Sequence, residues 1–138
     1  MRKIQESSEA VAKFCARVLD ENKCEEVRVL EVMNSLQIAD YFVVASGRNP
    51  RHLRAASDEL SRQLQDAGLR QRKRRGIEGY PDSQWILIDL SDVVVHLFLP
   101  EGRRFYDLDN LWGDCPRVAW DGDRDSRAAV ARGTRTEG

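Results

Sequence analysis

The sequence has few cysteines, and none of them lies in a metal-binding or redox motif. Cys15, Cys24 and Cys115 are odd in number and far apart, and no C-x-x-C pair occurs. Only His52 and His96 could join them, so the closely spaced ligand pairs of a zinc site are missing. Reduced thiols are the ordinary state of cysteine in the cytosol. We therefore expect no metal site, and we expect a cytoplasmic protein.

Signals for membranes and for nucleotide loops are also missing. No apolar run approaches the roughly 20 residues that a membrane span needs. The N-terminal sequence MRKIQESSEA lacks the apolar centre of a signal peptide. Neither a P-loop nor a G-x-G-x-x-G motif occurs. These absences disfavour a membrane protein and the common classes of nucleotide-dependent enzyme, and we expect no cofactor.

The sequence also shows no recognisable set of catalytic residues. The serines and cysteines lack the context of an activated nucleophile. Asp89 and His96 can lie diagonally on one face of a hairpin, as in Asp–His pairs that orient an imidazole, but a structural pair is the simpler interpretation. Asp107 and Asp109 have the D-x-D spacing that can hold Mg²⁺, yet they follow a turn instead of a core strand. We expect a protein that is not an enzyme.

What the chain does have is a divided charge distribution. Its 138 residues carry a formal net charge of −1, which predicts no strong general attraction to nucleic acid. From Arg48 to Arg75 there are nine basic and three acidic residues, whereas from Gly76 to Cys115 there are two basic and eight acidic residues. One domain of this size can therefore present a basic and an acidic patch to different partners.

The segment from Trp85 to Leu99 predicts a β-hairpin. Two runs rich in Val, Ile and Leu flank the polar pair Ser91-Asp92. With a two-residue loop, Ile86 pairs with Leu97 and Ile88 with Val95. One face is then entirely apolar and predicts core. The other face mixes aromatic, charged and imidazole side chains: Trp85, Leu87, Asp89, Val94, His96 and Phe98.

The remaining pattern predicts an α/β (α+β) domain over residues 1–115, with a mixed five-stranded sheet flanked by helices. An amphipathic helix is expected over 5–21, strands over Val27–Met33 and Asp40–Ser46, and a helix from Asn49-Pro50 to Gly68. A further strand near Leu69–Arg74 would complete a crossover connection.

The C-terminal part of the sequence contains two changes of pattern, a break after the last strand and a segment poor in large apolar residues. Pro100-Glu101-Gly102 is expected to break the last strand, and a short helical segment carrying Leu108, Leu111 and Trp112 is expected to pack on the hairpin. Residues 116–138 contain few large apolar side chains, so we expect a disordered tail in which Trp120 is the one aromatic residue that could dock.

Two clusters are candidates for partner binding. The basic residues near position 73 can contact RNA phosphates, or they can simply be the charged edge of a sheet; they are Arg70, Arg72, Lys73, Arg74 and Arg75. The aromatic residues among charges have the composition of a protein-binding patch, although Phe98 and Trp112 can equally be core; they are Trp85, Phe98, Tyr106 and Trp112.

Five motifs in order resemble the ribosomal silencing factor family, also called the Iojap family. They are ADYFVVASG (39–47), EG (78–79), WILID (85–89), DVVVH (92–96) and RRFYDLDNLW (103–112), so the resemblance covers roughly residues 5–115. It implies a nucleotidyltransferase-like topology without the catalytic site. It also implies binding to the large ribosomal subunit through its fourteenth protein, where the bound factor blocks joining of the small subunit and represses translation under nutrient limitation.

The resemblance also suggests partner-facing residues and an oligomeric state. By matching motif the partner-facing residues are Trp85, Asp89, His96, Arg103, Tyr106, Leu108 and Trp112. Asp40, Tyr41, Glu78 and Gly79 match family motifs as well, and members of the family are often homodimers when free. The alternatives are an RNA-contacting assembly factor of the large subunit and a divergent nucleotidyltransferase.

Overall fold

The structure, a computed structural model, describes residues 7–32, 39–69, 73–77, 85–105 and 113–120. The described residues form three helices and six strands, which in chain order are α1 (Ser8–Glu21), β1 (Glu25–Glu31), β2 (Tyr41–Ser46), α2 (Pro50–Asp66), β3 (Lys73–Ile77), β4 (Trp85–Asp89), β5 (Val93–Phe98), α3 (Pro100–Phe105) and β6 (Arg117–Val118).

All six strands belong to one mixed sheet in the order β3-β4-β5-β2-β1-β6. β2 and β5 are parallel, and the other neighbouring strands are antiparallel. The predicted mixed sheet of five strands with flanking helices is therefore confirmed, and the two-residue β6 extends it at β1. β2 lies inside the sheet and every one of its residues is buried, as expected for a strand covered on both faces.

The predicted hairpin register is confirmed. Ile86 pairs with Leu97 and Ile88 with Val95, and the Leu90 amide donates to the Val93 carbonyl at 2.9 Å across the two-residue loop. The apolar side, which we call the core face, packs in one cluster with residues of α1 and α2. The other side, which we call the opposite face, forms a second cluster around Phe42, Val44 and Phe98.

Helix α2 begins and ends where its sequence predicts. The Asn49 side chain accepts a hydrogen bond from the His52 amide at 2.8 Å, Pro50 occupies the first turn, and Gly68 has φ of +80° after the last turn. The following strand is not where the sequence placed it. The described strand β3 spans Lys73–Ile77, and the Leu69 amide still donates to the Leu64 carbonyl at 2.8 Å, so Leu69 belongs to the end of the helix; residues 70–72 lie outside the described residues.

In the C-terminal part the expected strand break at Pro100 is confirmed, since β5 ends at Phe98, and one expectation needs correction. Pro100 does more than break the strand: it begins α3, and proline suits this position because the first amides of a helix have no intrahelical acceptor. The fold also continues beyond residue 115, because β6 pairs with β1 and Trp120, 6% exposed, joins the core-face cluster. Residues 106–112, predicted as a short helical segment, and 121–138 lie outside the described residues.

His52 joins the end of α1 to the start of α2. Its Nδ1 accepts from the Arg48 amide at 2.9 Å, and its Nε2 lies 2.8 Å from the Asn22 carbonyl oxygen, so it donates there. We expect His52→Ala to lower the free energy of unfolding by about 1–3 kcal/mol, because two backbone groups lose their partner. Urea denaturation measures the change, with Arg51→Ala on the exposed side of α2 as the control. Equal stability of the two variants would contradict this role.

Candidate partner-binding surface

Trp85 lies at the start of β4 and is half-buried on the opposite face. Its Nε1 donates to His96 Nδ1 at 3.1 Å. Its ring packs at centroid distances of 5.2 Å from Phe98 and 5.9 Å from His96. The indole is therefore held in one orientation while part of its surface stays accessible, which is the arrangement of a preorganised contact residue.

His96, by contrast, is inside the protein at 5% exposure. Its ring lies 4.5 Å from the Phe42 ring and stacks at 6.0 Å on Phe98. Burial lowers the pKa of His96 from 6.5 to about 3, so the imidazole is neutral at physiological pH. Because Trp85 can only donate, Nδ1 must be the acceptor and Nε2 carries the proton. The prediction that His96 faces a partner is corrected: it positions Trp85.

Asp89 is half-buried at the end of β4 and does not bond to His96. One of its carboxylate oxygens accepts from the Ser91 amide at 2.8 Å, so it stabilises the hairpin loop. Ser91 has φ of +82°, a conformation that is unfavourable for a serine and is here supported by that bond. The two residues do share a face in diagonal positions, as expected, but the register pairs Asp89 with Val94 and His96 with Leu87.

Arg103 is buried, with 4% of its surface exposed, and it links α3 to the sheet. Its Nη1 donates to Ser46 Oγ at 2.7 Å and to the Glu26 carbonyl at 3.5 Å, and it lies 3.7 Å from the Glu26 carboxylate. The prediction that Arg103 faces a partner is therefore corrected as well. A buried guanidinium needs such partners, and this one links three separate elements.

Four half-buried residues of β4 and β5 define the accessible part of the opposite face. We call them the hairpin strip: Trp85, Leu87, Asp89 and Val94. The sequence pattern predicts Leu87 and Val94 on this face, although neither is among the predicted site residues. The alternation of side chains along each strand, combined with their apolar character at positions away from the core, was the signal that could have identified them.

Two basic positions of β3 lie next to the hairpin strip in the sheet register. Lys73, Arg74 and Arg75 belong to β3, at one edge of the sheet. Lys73 pairs with Asp89 and Arg75 with Leu87. Directly paired positions of antiparallel strands lie on the same face, so basic and strip positions are neighbours. The other predicted contact residues lie outside the described residues; they are Arg70, Arg72, Tyr106, Leu108 and Trp112.

The described residues give little support to a metal site, a reactive thiol or a membrane-spanning helix. Over the ranges the structure covers, no three His, Cys, Asp or Glu side chains gather in a way that could hold a metal ion. Burial raises the pKa of Cys15 and of Cys24 to about 12, so both thiols stay protonated at neutral pH. None of the helices described here has both the length and the apolar character to cross a membrane.

Comparison with known proteins gives a consistent result. The family described as "Ribosomal silencing factor during starvation" matches residues 5–137. A ribosomal silencing factor of Halalkalibacterium halodurans is 34% identical over 116 residues, covering 84% of this chain and 97% of its own length. A mouse protein named for mitochondrial assembly of the ribosomal large subunit is 33% identical over 95 residues, covering 69% of this chain and 42% of its own length.

A solved structure has the same fold. The crystal structure of a Chromobacterium violaceum protein superposes with a TM-score of 0.72 at 26% identity, covering 83% of this chain and 92% of that chain. Together with the ordered motifs and the mixed sheet, these matches show that the chain belongs to the ribosomal silencing factor family.

Proposed function

We propose that this protein binds the large ribosomal subunit through its fourteenth protein, on the surface that meets the small subunit. Bound there, it blocks joining of the small subunit by steric exclusion and represses translation in the cytoplasm when nutrients are limiting. Membership of the silencing-factor family supports the proposal, as does the name of the mouse relative, which refers to assembly of a ribosomal large subunit. Steric exclusion requires a well-shaped surface and no catalytic group.

The hairpin strip is the observation that carries the proposal. It combines a half-buried tryptophan and two half-buried aliphatic side chains with a carboxylate on one face of the hairpin. Protein interfaces combine an apolar centre with a polar rim, and tryptophan is enriched among their energetically dominant residues. The chain from Gly76 to Cys115 is strongly acidic, which complements the basic character usual in ribosomal proteins.

We propose roles for the predicted site residues from their exposure and their bonding. Trp85 and Asp89 contact the partner directly, together with Leu87 and Val94. His96 and Arg103 act as positioning residues, because both are buried and bonded within the domain. We propose Tyr106, Leu108 and Trp112 as further contacts from their motif, and a homodimer as the state of the free protein.

Co-sedimentation with separated ribosomal subunits in a sucrose gradient tests the proposal. We expect the protein to migrate with the large subunit and not with the small one. Adding it before the subunits are mixed should also reduce the peak of joined ribosomes in proportion to the amount bound. Migration with the small subunit, or an unchanged peak despite saturating binding to the large subunit, would rule out steric exclusion.

An RNA-contacting assembly factor is the second candidate, favoured by the position of Lys73, Arg74 and Arg75 at a sheet edge. In that case binding should weaken steeply with salt, and joint charge reversal at Lys73 and Arg74 should abolish it. The main proposal instead predicts a shallow salt dependence and retained binding by that variant. A divergent nucleotidyltransferase predicts Mg²⁺-dependent nucleotide binding, which calorimetry would detect as heat that disappears on chelation.

A further inference from the structure

The imidazole of His96 is contacted from both neighbouring strands of the sheet. β5, which carries His96, lies between β2 and β4. From β4, Trp85 Nε1 donates to His96 Nδ1 at 3.1 Å. From β2, the Phe42 ring lies 4.5 Å from the imidazole, with the two ring planes at 60°. His96 therefore connects a residue of the hairpin strip to a residue that lies outside the strip.

Phe42 is placed against His96 by the register of the sheet. The parallel register of β2 and β5 pairs Phe42 with Val94, two residues before His96, so Phe42 lies diagonally next to the imidazole on the opposite face. Only 6% of Phe42 is exposed. A side chain this buried offers little surface to a macromolecular partner, so its influence on binding passes through the residues that it packs against.

Neighbouring rings limit how the imidazole can turn. The Phe98 ring is nearly parallel to it, at 7° and a centroid distance of 6.0 Å, whereas the Phe42 ring is tilted. A neutral imidazole has one acceptor nitrogen, so the bond from Trp85 persists only while Nδ1 points towards the indole. Packing of Phe42 against the ring opposes a rotation that would turn Nδ1 away, because protein interiors are closely packed.

The apolar rings also keep Nδ1 an acceptor. Burial lowers the pKa of His96 to about 3, and Phe42 and Phe98 are part of the apolar surroundings that exclude water from the imidazole. If the ring were protonated, Nδ1 would be a donor and could not accept the Trp85 N–H. The hydrogen bond that orients the indole therefore depends on the rings that surround His96.

Burial, and not a neighbouring charge, is the cause of the low pKa of His96. β2 carries no charged residue. On the opposite face the other described elements contribute Asp89 of β4, Arg103 of α3, Glu26 and Arg28 of β1 and the positions of Lys73 and Arg75 on β3. The titratable thiol packed against the opposite-face cluster is Cys115. Loss of an apolar neighbour should therefore raise the pKa of His96 towards its ordinary value.

We propose that Phe42 is a positioning residue for partner binding: packed on His96 from β2, it holds the imidazole in place, and the imidazole holds Trp85 in one orientation on the hairpin strip. The inference rests on the proposed function, in which Trp85 contacts the large subunit. A contact residue that is already oriented loses less conformational entropy when a partner covers it. Since the imidazole stays neutral, this orientation does not change over the pH range in which a histidine ordinarily titrates.

Nuclear magnetic resonance of the isolated full chain tests the state of His96 and the orientation of Trp85. The chain contains two histidines and three tryptophans, so His96→Gln and Trp85→Phe assign the two signals. In the wild type the His96 Cε1–H and the Trp85 indole N–H should keep their positions from pH 8 to pH 5. In Phe42→Leu, which leaves space for water beside the imidazole, the His96 signal should titrate in this range and the Trp85 signal should shift with it.

Leu30→Ala is the matched control, since Leu30 belongs to the same cluster but lies on β1, which β2 separates from β5. It should lose stability yet keep the wild-type pH profile of both signals. Co-sedimentation with large subunits at pH 7.5 should show binding weakened roughly 3- to 10-fold in Phe42→Leu, as expected when one further side chain is ordered on binding, and unchanged in Leu30→Ala. Circular dichroism establishes that each variant is folded, and Phe42→Met replaces Phe42→Leu if that variant is not.

The proposal is overturned if both signals of Phe42→Leu keep their wild-type positions throughout the titration, or if Leu30→Ala titrates in the same way. It is equally overturned if Phe42→Leu binds large subunits as tightly as the wild type does. Failure of the wild type itself to bind would refute the proposed function and with it the role of Phe42 in binding. The resonance data would still decide whether Phe42 holds His96 and Trp85 in place.

Discussion

Replacing Trp85 with alanine is expected to weaken binding to the large ribosomal subunit by roughly 30- to 1,000-fold, corresponding to ~2–4 kcal/mol for truncation of a central interface tryptophan. The expected loss is large because the indole is partly accessible and already oriented by His96 and Phe98. Little conformational entropy is then lost when a partner covers it. Quantitative co-sedimentation over a range of subunit concentrations measures the change.

A control is needed because Trp85 also contributes to packing. Val95→Ala removes apolar contacts from the core face of the neighbouring strand, and we expect it to destabilise the fold while leaving binding intact. Circular dichroism should show both variants folded at the assay temperature. Unchanged capture of large subunits by Trp85→Ala, or an equal loss of capture by Val95→Ala, would refute the assignment of the hairpin strip.

The second large effect concerns stability in acid and depends on His96. Burial lowers the pKa of its imidazole to about 3 in the folded protein, whereas the ordinary value is 6.5. Between these values the unfolded chain binds a proton that the folded chain does not. The stability that comes from this group is therefore complete above pH 6.5 and is lost as the pH falls towards 3, by about 1.4 kcal/mol for each pH unit.

His96→Gln removes this titration while leaving an amide oxygen that can accept from Trp85 Nε1. We expect the variant to be less stable than the wild type at pH 7.5, and the difference between them to shrink at pH 5.5 and again at pH 4.5. Urea denaturation at the three pH values measures it. Val95→Ala should keep the pH dependence of the wild type, because it changes no titratable group. Parallel curves for His96→Gln and the wild type would contradict the burial of a neutral imidazole.

The pattern of apolar and polar residues was sufficient to predict the hairpin and both of its faces. A two-residue polar break between two apolar runs leaves little choice of loop, and the loop fixes the register from Ile86 to Leu97. The ends of α2 were also predictable from local sequence, because an asparagine cap, a proline and a terminal glycine each act within one turn of the backbone. The ordered motifs identified the family without any coordinates.

The accessibility of the candidate side chains, by contrast, depends on how the strands and helices pack in three dimensions. His96 and Arg103 were predicted as contacts from family motifs, as Trp85 was. The ring of Phe42 on β2 nevertheless lies against His96, and Ser46 at the end of β2 accepts a hydrogen bond from Arg103. Neither Phe42 nor Ser46 is near its partner in the sequence. Arg103 likewise bonds to Glu26 of β1 and Ser46 of β2, which are far from it in the sequence. Periodicity and capping are local properties of the chain, whereas burial and charge convergence depend on which strands become neighbours.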